Sequence, residues 1–167
     1  LSVGLVPENE LTKSAGIDLD PRTRGAVVYE NRETTMDGVF ACGNVLHVHD
    51  LVDFVSEEAT FAGKAAAEYV LNGDKGENYY TVKTSGGVTY TVPQRIHKGL
   101  GEEKINLYLR VNRTLPKAEI VVKRDGEELA RFRKTHLAPG EMQSVVFTGD
   151  LLETAGSSDE IEVALEV

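Results

Sequence analysis

The sequence predicts an α+β chain: a mixed α/β segment over residues 1–73, a linker at 74–78, and an all-β sandwich of immunoglobulin-like type over 79–167. Three observations predict it. Small and apolar residues recur at helical steps between Ser56 and Leu71. Ile105–Val111 and Ile161–Val167 alternate apolar and polar residues with period two, the pattern of half-buried strands. Asp125-Gly126 separates two strand-like runs, which is a strong hairpin signal.

Taken in order, Val3, Leu5 and Val6 end in Pro7 like the tail of a strand entering a loop. Gly16 to Pro21 is turn-rich, and Ala26–Tyr29 reads as a short strand. Gly38-Val39-Phe40-Ala41-Cys42 is an unalternating apolar run closed by Gly43-Asn44, as expected of a strand buried on both faces. The helix then places Ala59, Ala62, Gly63, Ala66 and Val70 on one face. Ser56 is its expected N-cap, Glu57 and Glu58 fall in its first turn, and Gly73 is its stop. Beyond the polar connector come strands at Tyr79–Thr84, Val88–Pro93, Ile105–Val111, Ala118–Lys123, Leu129–Lys134, Gln143–Thr148 and Ile161–Val167. Such a series of short antiparallel strands suits a sandwich, and no helix of consequence is expected among them.

Composition narrows the function. Residues 1–73 carry 5 basic and 12 acidic side chains, and residues 74–167 carry 13 and 15, within a net charge of −9. Neither part offers the positive field that a phosphate backbone requires, so nucleic acid is not an expected partner. No apolar run reaches the roughly 20 residues of a membrane span. Cys42 is the single cysteine, which rules out an internal disulfide or dithiol and is compatible with a reducing cytoplasm. The first residue is a leucine, and no signal peptide is visible.

The informative stretch is Thr34-Thr35-Met36-Asp37-Gly38-Val39-Phe40-Ala41-Cys42-Gly43-Asn44-Val45, followed by the small-faced helix. Gly43 admits a ligand against backbone that a side chain would block. Asn44 offers both donor and acceptor groups. The helix start offers N–H groups and a positive dipole end.

This stretch resembles the second FAD-contact motif of the pyridine-nucleotide-disulfide oxidoreductase family, through Thr35, Gly38, Val39, Phe40, Ala41, Gly43 and Asn44. The family's small-residue helix has its likeness in Ala59, Gly63, Ala66 and Ala67. Its Gly-x-x-Pro-Asn segment has its likeness in Val3-Gly4-Leu5-Val6-Pro7-Glu8-Asn9. The resemblance covers roughly residues 1–72. It implies that 1–73 is the C-terminal portion of a FAD/NAD(P)-binding domain and that the chain is the C-terminal part of a flavoprotein. In that parent, electrons pass between NAD(P)H and an acceptor through FAD. It further implies cofactor contacts from Gly43, Asn44, Val45, Asp53, Phe54, Val55 and Gly63. The family usually has Asp where Asn44 stands. The dinucleotide fingerprint Gly-x-Gly-x-x-Gly does not occur here. The chain alone is therefore expected to lack catalytic residues and to bind little or no FAD, and its expected partners are the rest of the parent and, in addition, another copy of itself.

Other readings stand beside this one. In the alternative reading, the β-sandwich is the functional unit, as a non-catalytic binding module. His47, His49, Asp50 and Asp53 suggest a metal cluster and a metal-dependent hydrolase, but their spacing matches no known motif, and no metal ligand is assigned. Cys42 reads as a small core residue, and His97 and His136 read as surface residues. Lys123, Arg124, Arg131, Arg133 and Lys134 read as a solvated basic face balanced by Glu127 and Glu128.

Overall fold

A computed structural model describes residues 5–73 and 75–167. Val3 and Gly4 of the expected first strand, and Asp74 of the linker, lie outside the described residues. The chain is mixed α+β and divides into two compact units, Leu1–Lys75 and Gly76–Val167.

The first unit is built on one long helix. The described residues hold a short helix α1 (Glu10–Ser14), a 3-10 turn at Gly43–Val45 and helix α2 (Val52–Asn72). Gly73 ends α2 in the left-handed region, with φ 80°, and its N–H bonds the Tyr69 carbonyl. The expected strands at Ala26–Tyr29 and Gly38–Cys42 are reduced to isolated antiparallel bridges, Leu19 with Ala26, Val28 with Thr34, and Glu33 with Phe40. Val39 is exposed, and Phe40, Ala41 and Cys42 are only half-buried. Run 38–42 is therefore not covered on both faces, contrary to what its apolar character predicted.

Helix α2 also departs from expectation at its start. It begins at Val52 with Leu51 in the cap position and no side-chain cap bond. Ser56 lies inside it, its hydroxyl donating to the Val52 carbonyl. Residues 52–55 thus form the first turn, where Asp53 favours the helix dipole, and Glu58 moves into the second turn. The buried face is Glu58, Ala62 and Ala65. Ala59, Gly63 and Val70, expected to be buried, are exposed, and Ala66 is half-buried. The periodicity was legible, but a polar side chain, Glu58, shares the inward direction with Ala62 and Ala65, and Ala59 and Gly63 face outward.

The second unit contains eight strands: β1 (Tyr79–Ser85), β2 (Val88–Val92), β3 (Arg95–His97), β4 (Lys104–Val111), β5 (Leu115–Arg124), β6 (Glu127–Leu137), β7 (Gln143–Thr148) and β8 (Glu160–Glu166). They form a five-stranded sheet in the order β3-β1-β8-β5-β6 and a three-stranded sheet in the order β2-β4-β7. Ile105, Leu107, Leu109 and Val111 of β4 share one core with Ile120 and Val122 of β5 and with Ile161, Val163 and Leu165 of β8. β5 and β6 turn through Asp125-Gly126, both at positive φ, with Arg124 opposite Glu127. The sheets are not wholly antiparallel, because β1 pairs with β8 in parallel. β3 was not foreseen, being too short to show a period.

Two side chains of this unit overturn their expected places. His97 is buried, only 3% exposed, because β3 carries it inward. Arg124 belongs to no solvated face. Its guanidinium is buried, donates to the carbonyls of Ser158, Leu152 and Ala155, and lies 4.8 Å from the centre of the Tyr80 ring. Arg131 stays at the surface and is held by Glu119, Glu128 and Glu166.

Candidate functional site around Gly43 and Glu58

The interior of the first unit is unusually polar. Arg32, His47, His49 and Glu58 are all buried, so each needs a partner to offset desolvation. The Glu58 carboxylate, carried inward by α2, is that partner. Oε1 accepts from Arg32 Nε at 2.9 Å and lies 3.2 Å from His47 Nε2. Oε2 accepts the Gly43 N–H at 2.8 Å and lies 2.8 Å from His49 Nε2. Four groups from two separate stretches, Arg32 and the 43–49 loop, therefore converge on one carboxylate. The two imidazoles stand 4.3 Å apart, centre to centre.

This arrangement sets the ionisation of its members. Burial raises the Glu58 carboxyl, but hydrogen bonds to His47 and His49 and the Arg32 charge outweigh it, holding the group far below the usual carboxylate range. Burial pushes the His47 imidazole below its ordinary value, against the pull of Glu58. Burial, then the Glu58 charge, raises the Cys42 thiol, which suits an unreactive half-buried side chain.

The cluster anchors the 43–49 loop to α2. Gly43 has φ 73°, and a Cβ there would lie 3.2 Å from Val55 Cγ1. Buried Asn9 reaches the same turn, donating through Nδ2 to the carbonyls of Val45 and Arg24. Behind the turn, a Cβ on Gly25 would fall 1.7 Å from the Leu46 carbonyl oxygen, so only glycine fits. Asn44 Oδ1 accepts from the His49 N–H.

The expected cofactor residues fall in two groups. Gly43, Asn44 and Val45 form the 3-10 turn, which packs against α2, and Asp53, Phe54 and Val55 form the first turns of that helix. Asn44, Val45 and Asp53 are exposed, and Phe54 and Val55 are half-buried. Gly63 stands further along α2, where an added Cβ would meet nothing within 4 Å. Of the expected metal candidates, His47 and His49 come together, whereas Asp50 and Asp53 are exposed. Glu58 takes the carboxylate's place. Its spacing of nine residues from His49 gave no motif. The available signal was a glutamate on the helix face next to otherwise small residues.

The chain matches no family model, no curated protein and no solved structure. None of the described helices is long and apolar enough to cross a membrane.

Proposed function

We propose that the chain is the C-terminal part of a flavin-dependent pyridine-nucleotide oxidoreductase, supplying one wall of an FAD site, with an immunoglobulin-like β unit appended. The observation that carries this reading is the placement of the Gly43–Val45 turn against the start of α2, where Val45, Leu51 and Val52 expose apolar surface beside a buried Gly43 whose N–H is held by Glu58. Those features suit a flat, partly anionic ligand laid on backbone and a helix N-terminus. Asn9 supports the reading, since the Pro7-Glu8-Asn9 segment returns to the motif turn. Exposed Ala59, Gly63 and Ala67 on α2 support it as well, as a small-residue face suited to close packing by the remainder of the parent.

The residues present fit such a cofactor with one change from the usual pattern. Asn44 gives its oxygen to the His49 N–H, which leaves its amide nitrogen to donate to a ribityl or phosphate oxygen. When bound, FAD supplies hydride and electron transfer between NAD(P)H and an acceptor. This chain's own part is to bind and orient it.

The test is to express the complete reading frame and measure flavin by visible absorbance. The reading expects stoichiometric FAD and a large fall in occupancy in Gly43→Val. A colourless, folded product of the full frame overturns it. A second reading, a non-catalytic binding module, is favoured by a cleft of about 580 Å³ on β5, β6 and the end of β8, lined by Lys117, Arg131, Lys134, Glu119 and Glu166. A purified 76–167 unit that captures a charged peptide from a peptide array, and loses it in Lys117→Glu, supports that second reading.

A further inference from the structure

Apart from the flavin reading, the geometry points to a divalent transition-metal site of the zinc class formed by His47, His49 and Glu58. Two imidazole Nε2 atoms face one carboxylate from its two oxygens, at 3.2 and 2.8 Å, and the three donors all lie within 4.8 Å of one another. Ligands on a tetrahedral zinc with bonds of about 2.0 Å stand roughly 3.3 Å apart. The three donors thus lie close to the spacing that a tetrahedral ion requires. Two nitrogens and one oxygen suit zinc, cobalt or ferrous iron and do not suit magnesium or calcium, which take oxygen ligands.

To bind the ion, each imidazole would present an unprotonated Nε2 and carry its ring proton on Nδ1. The contacts of His47 and His49 with Glu58 would then give way to coordination of all three groups. Arg32 and the Gly43 N–H would keep their bonds to Oε1 and Oε2 and become outer partners that orient the carboxylate. The three protein donors leave one position for water. The ion would then pin the 43–49 loop to the second turn of α2. The cationic Arg32 beside the ligand opposes a second positive charge and lowers the affinity of the site.

The decisive experiment is titration of the chelator-treated 167-residue chain with cobalt(II), followed by absorption and X-ray absorption spectroscopy. One cobalt per chain, with tetrahedral bands and imidazole scattering, is expected, while magnesium and calcium bind no more tightly than to a control protein. His49→Gln is expected to weaken cobalt binding by more than the roughly 10–100-fold that loss of an outer partner causes. Arg32→Met, which removes the opposing charge, is expected to tighten it. Absence of cobalt uptake by chain with folded circular dichroism overturns the site, as does uptake that calcium matches. Undiminished binding in a folded His49→Gln chain also overturns it. If Arg32→Met does not fold, the wild-type X-ray absorption spectrum decides by the presence or absence of imidazole ligands. None of these outcomes depends on flavin, so the two proposals stand or fall separately.

Discussion

Glu58 accepts the Gly43 N–H across fifteen residues of sequence, at 2.8 Å, and so fixes the turn that opens the 43–49 loop to the second turn of α2. The same carboxylate holds Arg32, His47 and His49. The loop, which also buries Leu46, thereby gains a defined position through hydrogen bonds to one buried charge.

Glu58→Gln tests that statement. The substitution leaves the Arg32 guanidinium buried without its counter-charge, and breaking a buried pair from one side costs about 3–5 kcal/mol. Hydrogen exchange is expected to lose protection across 32–65 while the strands of the second unit keep theirs. Equal protection of 32–65 in wild type and variant would show that the cluster contributes little.

Acid should weaken the same region. The Glu58 carboxyl is depressed from its ordinary 4.5 and the His47 imidazole from its ordinary 6.5 when folded. For both, the unfolded chain binds protons that the folded chain does not, so stability present above those ordinary values is lost as pH falls below them. The first unit is expected to lose stability from about pH 6.5 downward and more steeply below about pH 4.5. Thermal melts of the 167-residue chain followed by hydrogen exchange from pH 8 to 4 measure this, and a pH-independent first unit would contradict it.

The two glycines of the first unit with opposite surroundings should respond in opposite directions. Gly25→Ala drives a methyl into the Leu46 backbone, and the turn behind Gly43 is expected to shift or the unit to unfold. Gly63→Ala meets nothing and sits inside a helix, where alanine is favoured by about 0.5–1 kcal/mol. The isolated chain is therefore expected to melt higher with Gly63→Ala. Under the flavin reading, the full-length product with the same change loses close packing on α2 and melts lower.

In the second unit, Arg124→Met should be costly despite preserving length. Three carbonyls, of Ser158, Leu152 and Ala155, lose their donor, and each buried group left unsatisfied costs about 1–3 kcal/mol, less where water reaches it. A fall of roughly 3 kcal/mol in urea stability is expected. Arg131→Met, whose partners are partly solvated carboxylates, should fall by much less.

The sequence was most legible where one residue type answers one demand. Alternation located β4 and β8 because each has a wet and a dry face, and Asp125-Gly126 located its turn because few other pairs accept positive φ at both positions. Spacing located α2 but misplaced its start and its inward face. Ser56 has the chemistry of a cap, yet the helix runs on to Val52. Pattern also treats glutamate as outward, whereas Glu58 is drawn in by the Arg32 charge and by the ring nitrogens of His47 and His49. Likewise Arg124 and His97 are polar by type and buried by partnership. Such partnerships form between residues far apart in the chain and leave no local period to read.

The order of strands carries a consequence for how the β unit is made. β8, the last of its strands to leave the ribosome, lies between β1 and β5 and pairs with both. Until it arrives, β1–β3 and β5–β6 have no shared middle, and their facing edges stand open. Parallel closure between the first strand and the last spans almost the whole unit, a slow kind of contact to form. Nascent chains that stall before residue 160 should therefore present two unmatched sheet edges to chaperones or to one another.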